Sequence, residues 1–157
     1  MFAGFVQFLR MSFRFECQQW LPVPRERLFP FFADVTNLGA ITPPFLRFEV
    51  LTPDVEVRAG AIIDYKLRIH GIPMRWQSEI TVWEPPFRFV DEQRRGPYRR
   101  WHHEHRFEEK DGGTLCIDRV DYAVLGGALI EKLFVRRDVE RIFAFRTAKL
   151  TELFGRA

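Results

Sequence analysis

From Phe13 to Gln19 apolar and polar side chains trade places at every step, with Phe13, Phe15, Cys17 and Gln19 on one side and Arg14, Glu16 and Gln18 on the other. A period of two predicts a half-buried strand that begins near Ser12. Pro22 and Pro24 stop it. Pro24 suits the first turn of a helix, where no backbone donor is required, and it stands ahead of the run RERLFPFFADV, which Pro30 should cut or kink. A second short helical piece is predicted over Val35 to Ile41. Thr42, Pro43 and Pro44 should break it, because a residue before proline is pushed away from helical geometry.

The pattern then stays with strands and turns. Strands are predicted near Arg47 to Thr52, Ala61 to His70, Pro73 to Glu84, Arg88 to Gln93, Tyr98 to Glu109 and Thr114 to Tyr122. Gly60, Gly71, Pro85-Pro86, Gly96-Pro97 and Asp111-Gly112-Gly113 separate them with turn chemistry. Connections this short give an antiparallel meander, since a parallel pair needs a crossover of a dozen residues or more. From Ala128 to Phe154, after Gly126 and Gly127, the period becomes helical: Val135, Val139, Ile142, Phe143, Leu150 and Leu153 share one face. The inward strand faces carry Asp91, Gln93, His103, His105 and Asp118 where a plain core would be apolar. A seven-stranded sheet curved around the terminal helix, with a partly polar cavity between them, accommodates both facts.

Composition narrows the class. A chain of 157 residues, 46% hydrophobic and 15% aromatic with 17 Phe, has enough apolar surface for one core and excludes disorder. Its formal net charge of +3 permits contact with anionic surfaces without making nucleic acid a default partner. Cys17 and Cys116 lie inside apolar strand patterns without metal or redox spacing, which reads as two buried free thiols in a reducing, cytoplasmic compartment. Residues 1–11 form an extension, disordered or amphipathic, that could follow from a start at Met1 where Met11 is the alternative, and residues 12–157 make up the domain. They do not resemble a signal peptide or a membrane span.

The order strand, two small helices, six-strand meander and long C-terminal helix resembles the START-like superfamily. So do ITPPFLRFEVL at 41–51, DYKLRIHGIPMRW at 64–76, WEPPFRFVDEQRRGPYRRWHHEHRF at 83–107 and LFVRRDVERIFAFR at 133–146, which are similar to a bacterial branch described as SRPBCC or cyclase/dehydrase-like. The resemblance covers Ser12 to Phe154 and implies an α+β helix-grip fold that encloses a cavity. Leu125 departs from it, standing where similar proteins often have proline. No established reaction comes with this branch.

Candidate chemistry lies on the strand faces. Trp101, His103, His105 and Phe107 share one face, and Cys116, Asp118, Val120 and Tyr122 share one face of the next strand. His-x-His with Asp118 could ligate zinc or iron, yet no further ligand stands at motif spacing, and neither metal nor other cofactor is expected. His103 or His105, oriented by Asp118, could instead transfer protons in a cofactor-independent cyclase or dehydratase. The plainer reading leaves them hydrogen-bonded and merely polar. Tyr65, Leu67, Trp76, Ile80, Phe89, Ile142 and Phe143 are the expected apolar walls, with Asp91, Gln93 and Tyr122 as further lining, and they suit a fatty-acyl, isoprenoid or polyketide-like guest. Arg146, in the middle of the helical stripe, could reach out to water, clamp a buried carboxylate or meet an anionic ligand group. Arg94, Arg95, Arg99 and Arg100 form a basic hairpin fit for a solvated turn, an anionic membrane surface or an acidic carrier protein. The expected function is binding of a hydrophobic or amphiphilic small molecule for transport, sequestration or sensing.

Overall fold

The computed structural model describes residues 12–155, so the expectations for residues 1–11 lie outside the described residues. Seven strands form one antiparallel sheet: β1 (Phe13–Leu21), β2 (Glu49–Val50), β3 (Ile62–Ile69), β4 (Ile72–Glu84), β5 (Arg88–Arg95), β6 (Arg100–Lys110) and β7 (Gly113–Ala123). Their spatial order is β1-β7-β6-β5-β4-β3-β2, a meander from β2 to β7 that β1 joins at one edge. Two hairpins turn through left-handed residue pairs, His70 (φ 49°) with Gly71 (φ 80°) and Asp111 (φ 49°) with Gly112 (φ 74°). That backbone matches the twist of the strands it joins.

Between β1 and β2 the chain is helical. α1 (Arg25–Ala33) contains Pro30 without breaking there and ends only at Ala33. Asp34 then caps a 3-10 segment over Val35–Ile41, its carboxylate accepting from the Thr36 amide at 2.9 Å and the Thr36 hydroxyl at 2.6 Å. These hydrogen bonds hold the Asp34 carboxyl below its ordinary range. Pro44 does more than end this segment. It opens a further 3-10 turn, Pro44–Leu46, after which Arg47 is left-handed (φ 44°), and this leaves only Glu49 and Val50 for the strand expected from Arg47.

The C-terminal helix runs for 28 residues as α2 (Gly127–Ile130), a π-helical turn Glu131–Val135, and α3 (Arg136–Phe154). The π turn was not legible in the apolar period. It carries Glu131, only 1% exposed, whose carboxylate accepts from the Tyr122 hydroxyl at 2.7 Å and from Arg136 Nε at 3.0 Å. Val139, Phe143 and Leu150 face the core as predicted, while Leu153, the penultimate residue of the helix, is 45% exposed.

Aromatic contacts close the layers. Phe29 of α1 packs on Trp83, Phe89 and Phe107, so the helix plugs one end of the curved sheet. Phe15 meets Phe143 at 4.7 Å, and Gln19 of β1 donates to Thr147 O and Thr151 Oγ1, which fastens α3 along the sheet edge. The outer sheet face carries ion pairs instead, among them Arg14 with Asp121, Arg119 with Glu16 and Arg94 with Glu79. A period of two has thus sorted the side chains into a wet side and a covered side.

Two measurements follow. Burial first, then the negative charge of Asp118, push the free thiols of Cys17 and Cys116 up to about 12. Buried Cys116 and half-buried Cys17 should both resist an aromatic disulfide reagent at pH 8 in the native protein and react once it is denatured; prompt native labelling of both would contradict the raised thiols. Glu131→Ala leaves a buried tyrosine hydroxyl without its acceptor and should cost about 1–3 kcal/mol in urea denaturation. No change in the midpoint would show that this contact contributes nothing.

Candidate functional site

A cavity of about 410 Å³ lies between the concave sheet face, the helical segment after β1 and α3. Its size falls within the ordinary range for small-molecule sites, roughly 300–1,000 Å³. Side chains from β3, β4, β5 and β6 form one wall: Tyr65, Leu67, Trp76, Ile80, Phe89, Asp91, Trp101, His103 and His105 all reach it. From the opposite side come Ile142, Phe143 and Arg146 of α3.

Other lining residues were missed in the sequence. Phe31, Phe32, Leu38, Ile41, Leu46 and Phe48 contribute from α1, the two 3-10 segments and the stretch before β2. The signal that could have found them is their density of bulky apolar side chains in short elements, too many to be spent on the sheet alone. Where the lining residues Phe45, His70 and Arg141 are exposed, the cavity opens to solvent. His70 Nε2 meets Asp138 Oδ2 at 2.8 Å and the Arg141 guanidinium lies 4.6 Å over the Phe45 ring, so the β3–β4 hairpin and the Pro44–Leu46 turn are both tied to α3 at this mouth.

Three expected lining residues stand elsewhere. Gln93 folds back on the β5–β6 turn, donating to Tyr98 O at 2.7 Å and accepting from the Tyr98 amide at 3.2 Å, which satisfies both backbone groups of a partly buried residue where the chain reverses. Tyr122 is occupied by Glu131. Asp118 lies behind the histidines and does not line the cavity.

The polar end of the cavity is a cross-strand cluster. Pairing sets Asp91 opposite His103 and His105 opposite Asp118, and strand twist brings each ring to the diagonal carboxylate as well. His103 Nε2 stands 2.8 Å and His105 Nδ1 2.9 Å from Asp118 Oδ1. Their other nitrogens point to Asp91 Oδ2, His105 Nε2 at 3.0 Å and His103 Nδ1 at 3.5 Å. The rings are 3.7 Å apart, Phe89 stacks on His105 at 4.1 Å, and both histidines are buried.

Burial opposes every charge in this cluster, and the outcome differs by residue. Desolvation, aided by the neighbouring His105, lowers His103 to about 4. Desolvation also works against the His105 cation, but hydrogen bonds and charges from Asp118 and Asp91 outweigh it and raise that group. For the carboxyls, burial acts upward. The histidines and, at Asp91, also Arg146 overcome it and hold Asp91 below and Asp118 well below the usual carboxylate range. The same two carboxylates thus leave the neighbouring imidazoles unequal in basicity, His105 raised and His103 lowered.

Arg146 resolves among its three readings by position. Its side chain is 12% exposed, so it does not reach out to water; Nη1 stands 3.5 Å from Asp118 Oδ1, and the guanidinium lies 5.2 Å over the Phe143 ring. Nε and Nη1 have no hydrogen-bond partner among the described residues, although the residue lines the cavity. A buried guanidinium with spare donors is a ready partner for an oxygen. Deeper in the wall, Ser78 Oγ takes the Trp76 Nε1 proton at 3.0 Å and pairs with the Tyr65 hydroxyl at 3.0 Å. Burial, then the charge of Asp91, raises the Tyr65 phenol, so it stays neutral.

The basic hairpin is split. Arg94 pairs with Glu79 at 2.6 Å and with Glu92 at 3.4 Å, while Arg95, Arg99 and Arg100 are exposed. No helix of the described residues is long and apolar enough to cross a membrane.

The family described as "Polyketide cyclase / dehydrase and lipid transport" matches residues 21–146. No curated protein matches the chain. Among solved structures, protein CV1439 from Chromobacterium violaceum is similar with a TM-score of 0.73 at 14% identity, over 92% of this chain and 99% of that one. The Zhui aromatase/cyclase from Streptomyces sp. R1128 gives 0.69 at 17% identity, over 89% and 92%. Protein Ms6760 from Mycobacterium smegmatis gives 0.67 at 19% identity, over 89% of each chain. At these identities the likeness is one of fold.

One variant tests whether the polar cluster acts as a unit. Asp118→Ala removes the acceptor of both imidazoles and the carboxylate nearest Arg146, and should destabilise the protein by about 3–5 kcal/mol in chemical denaturation. A cost below about 1 kcal/mol would show the rings to be held without it.

Proposed function

The chain belongs to the polyketide cyclase / dehydrase and lipid transport family, and on that footing we propose that it holds one hydrophobic or amphiphilic small molecule between the sheet and the C-terminal helix, for transport, sequestration or sensing. The observation that carries this reading is the division of the cavity. Most of its wall is aromatic and aliphatic, and, apart from Asp34, His70, Asp138 and Arg141 toward solvent, its charged groups Asp91, His103, His105 and Arg146 stand together. Such a division suits a guest with an apolar body and an oxygen-bearing head, of fatty-acyl, isoprenoid or polyketide-like chemistry. The head would take the spare donors of Arg146, and the body would lie against Phe89, Trp101 and Phe143. The exposed Arg99 and Arg100 stand beside Ala123, two residues before exposed Leu125, and that mixture of cations and apolar side chains suits delivery at an anionic membrane surface.

Native mass spectrometry of the freshly purified protein should reveal a copurified lipid-like mass. Displacement of a fluorescent fatty acid then measures affinity. Ile142→Trp fills the cavity from α3 and should weaken binding at least about tenfold, equivalent to about 1.4 kcal/mol, with the fold intact by circular dichroism. Unchanged affinity in that variant would overturn the cavity as the binding place. Should His103→Ala and His105→Ala abolish turnover of a polyketide-like substrate while binding persists, the cyclase or dehydratase reading would replace the carrier one.

A further inference from the structure

The two faces of the histidine pair are not equivalent. One oxygen of Asp118 holds the ring nitrogens on one side, His103 Nε2 and His105 Nδ1. On the other side His103 Nδ1 and His105 Nε2 converge on Asp91 Oδ2, at 3.5 and 3.0 Å, and one ligating atom from each residue lies within 4.8 Å of the others. Atoms bound about 2.1 Å from one tetrahedral ion stand about 3.4 Å apart, so the two nitrogen-to-oxygen distances are close to those of neighbouring ligands on a shared metal. All three residues line the cavity, whereas Asp118 does not.

Asp118 backs both rings from the side away from the cavity. A metal-bound imidazole donates its remaining N–H to a carboxylate, which sets the tautomer and aims the other lone pair at the ion. Here one carboxylate does this for both rings, with Arg146 3.5 Å from it. The spacing of residues along the chain suggests Asp118 as the third ligand; the tertiary arrangement puts Asp91 in that place and makes Asp118 the outer partner.

We propose that Asp91, His103 and His105 bind a divalent first-row transition ion, zinc or ferrous iron, with its open coordination positions toward the cavity. Two imidazoles and one carboxylate are a donor set suited to these ions. The ion replaces the proton shared by His105 Nε2 and Asp91 Oδ2, which is released to solvent. The site stands independently of what the cavity carries, because it is tested with metal alone.

The full chain, stripped with a chelator and exchanged into metal-free buffer, is titrated with zinc chloride by calorimetry, and cobalt(II) serves as a spectroscopic probe. One zinc per chain and visible cobalt d–d bands are expected. Asp91→Ala and His103→Ala should each weaken zinc binding by about a hundredfold or more, and Asp118→Asn by about tenfold to a hundredfold with the stoichiometry kept. His102→Ala is the control: it lies on the same strand but faces outward, 2.7 Å from Glu92. It should bind zinc like the parent. If an alanine variant fails to fold by circular dichroism, Asp91→Asn and His103→Gln replace it. Less than about a tenth of an equivalent bound by the folded parent, or affinity unchanged in the Asp91 and His103 variants, would overturn the site.

Discussion

Two carboxylates cannot share a water-poor interior unless cations or hydrogen-bond donors stand between them, and the cavity is organised around that constraint. Asp91 and Asp118 lie on strands separated by one other, and the strand between them supplies both His103 and His105. Arg146 adds a cation from the helix side. Since strands, rings and helix must all be in place for the charges to be met, the cluster couples the sheet to α3.

The same constraint explains why the space between sheet and helix is not simply filled. A charged cluster needs polar partners of its own, so apolar side chains pack around it and cannot replace it. Phe89 stacks on His105, Phe143 lies edge-on to His103, and the remaining aromatic wall leads from there to the mouth at Phe45, His70 and Arg141. Apolar walls between a charged inner cluster and a polar mouth result, and the unpartnered donors of Arg146 mark the inner end. A lipid carrier and a metal-assisted site are compatible uses of this arrangement, for each places a ligand oxygen among the same residues.

The elements that close the cavity are held by local devices with separate physical origins. Asp34 caps the 3-10 segment through Thr36, Gln93 restrains the β5–β6 turn, and Glu131 anchors the π turn to Tyr122. Each satisfies backbone or side-chain polar groups that would otherwise be left without partners where the chain changes direction.

By itself the sequence determined the period of each strand, the antiparallel meander and the terminal helix, because alternation and turn chemistry are local: Phe13 to Gln19 read as a half-buried strand without knowledge of their neighbours. It also set His103 and His105 on one face and Asp118 on the matching face of the next strand. What it could not decide depended on side chains far apart in the chain. Gln93 and Asp91 share strand parity, yet one restrains a turn and the other joins the histidines; Leu153 keeps the helical period but is 45% exposed, while the next residue, Phe154, packs on Phe31. The choice of Asp91 over Asp118 on the cavity side, and the π turn that buries Glu131, arose only when twist and packing set distances between strands and helix, which no spacing along the chain contains.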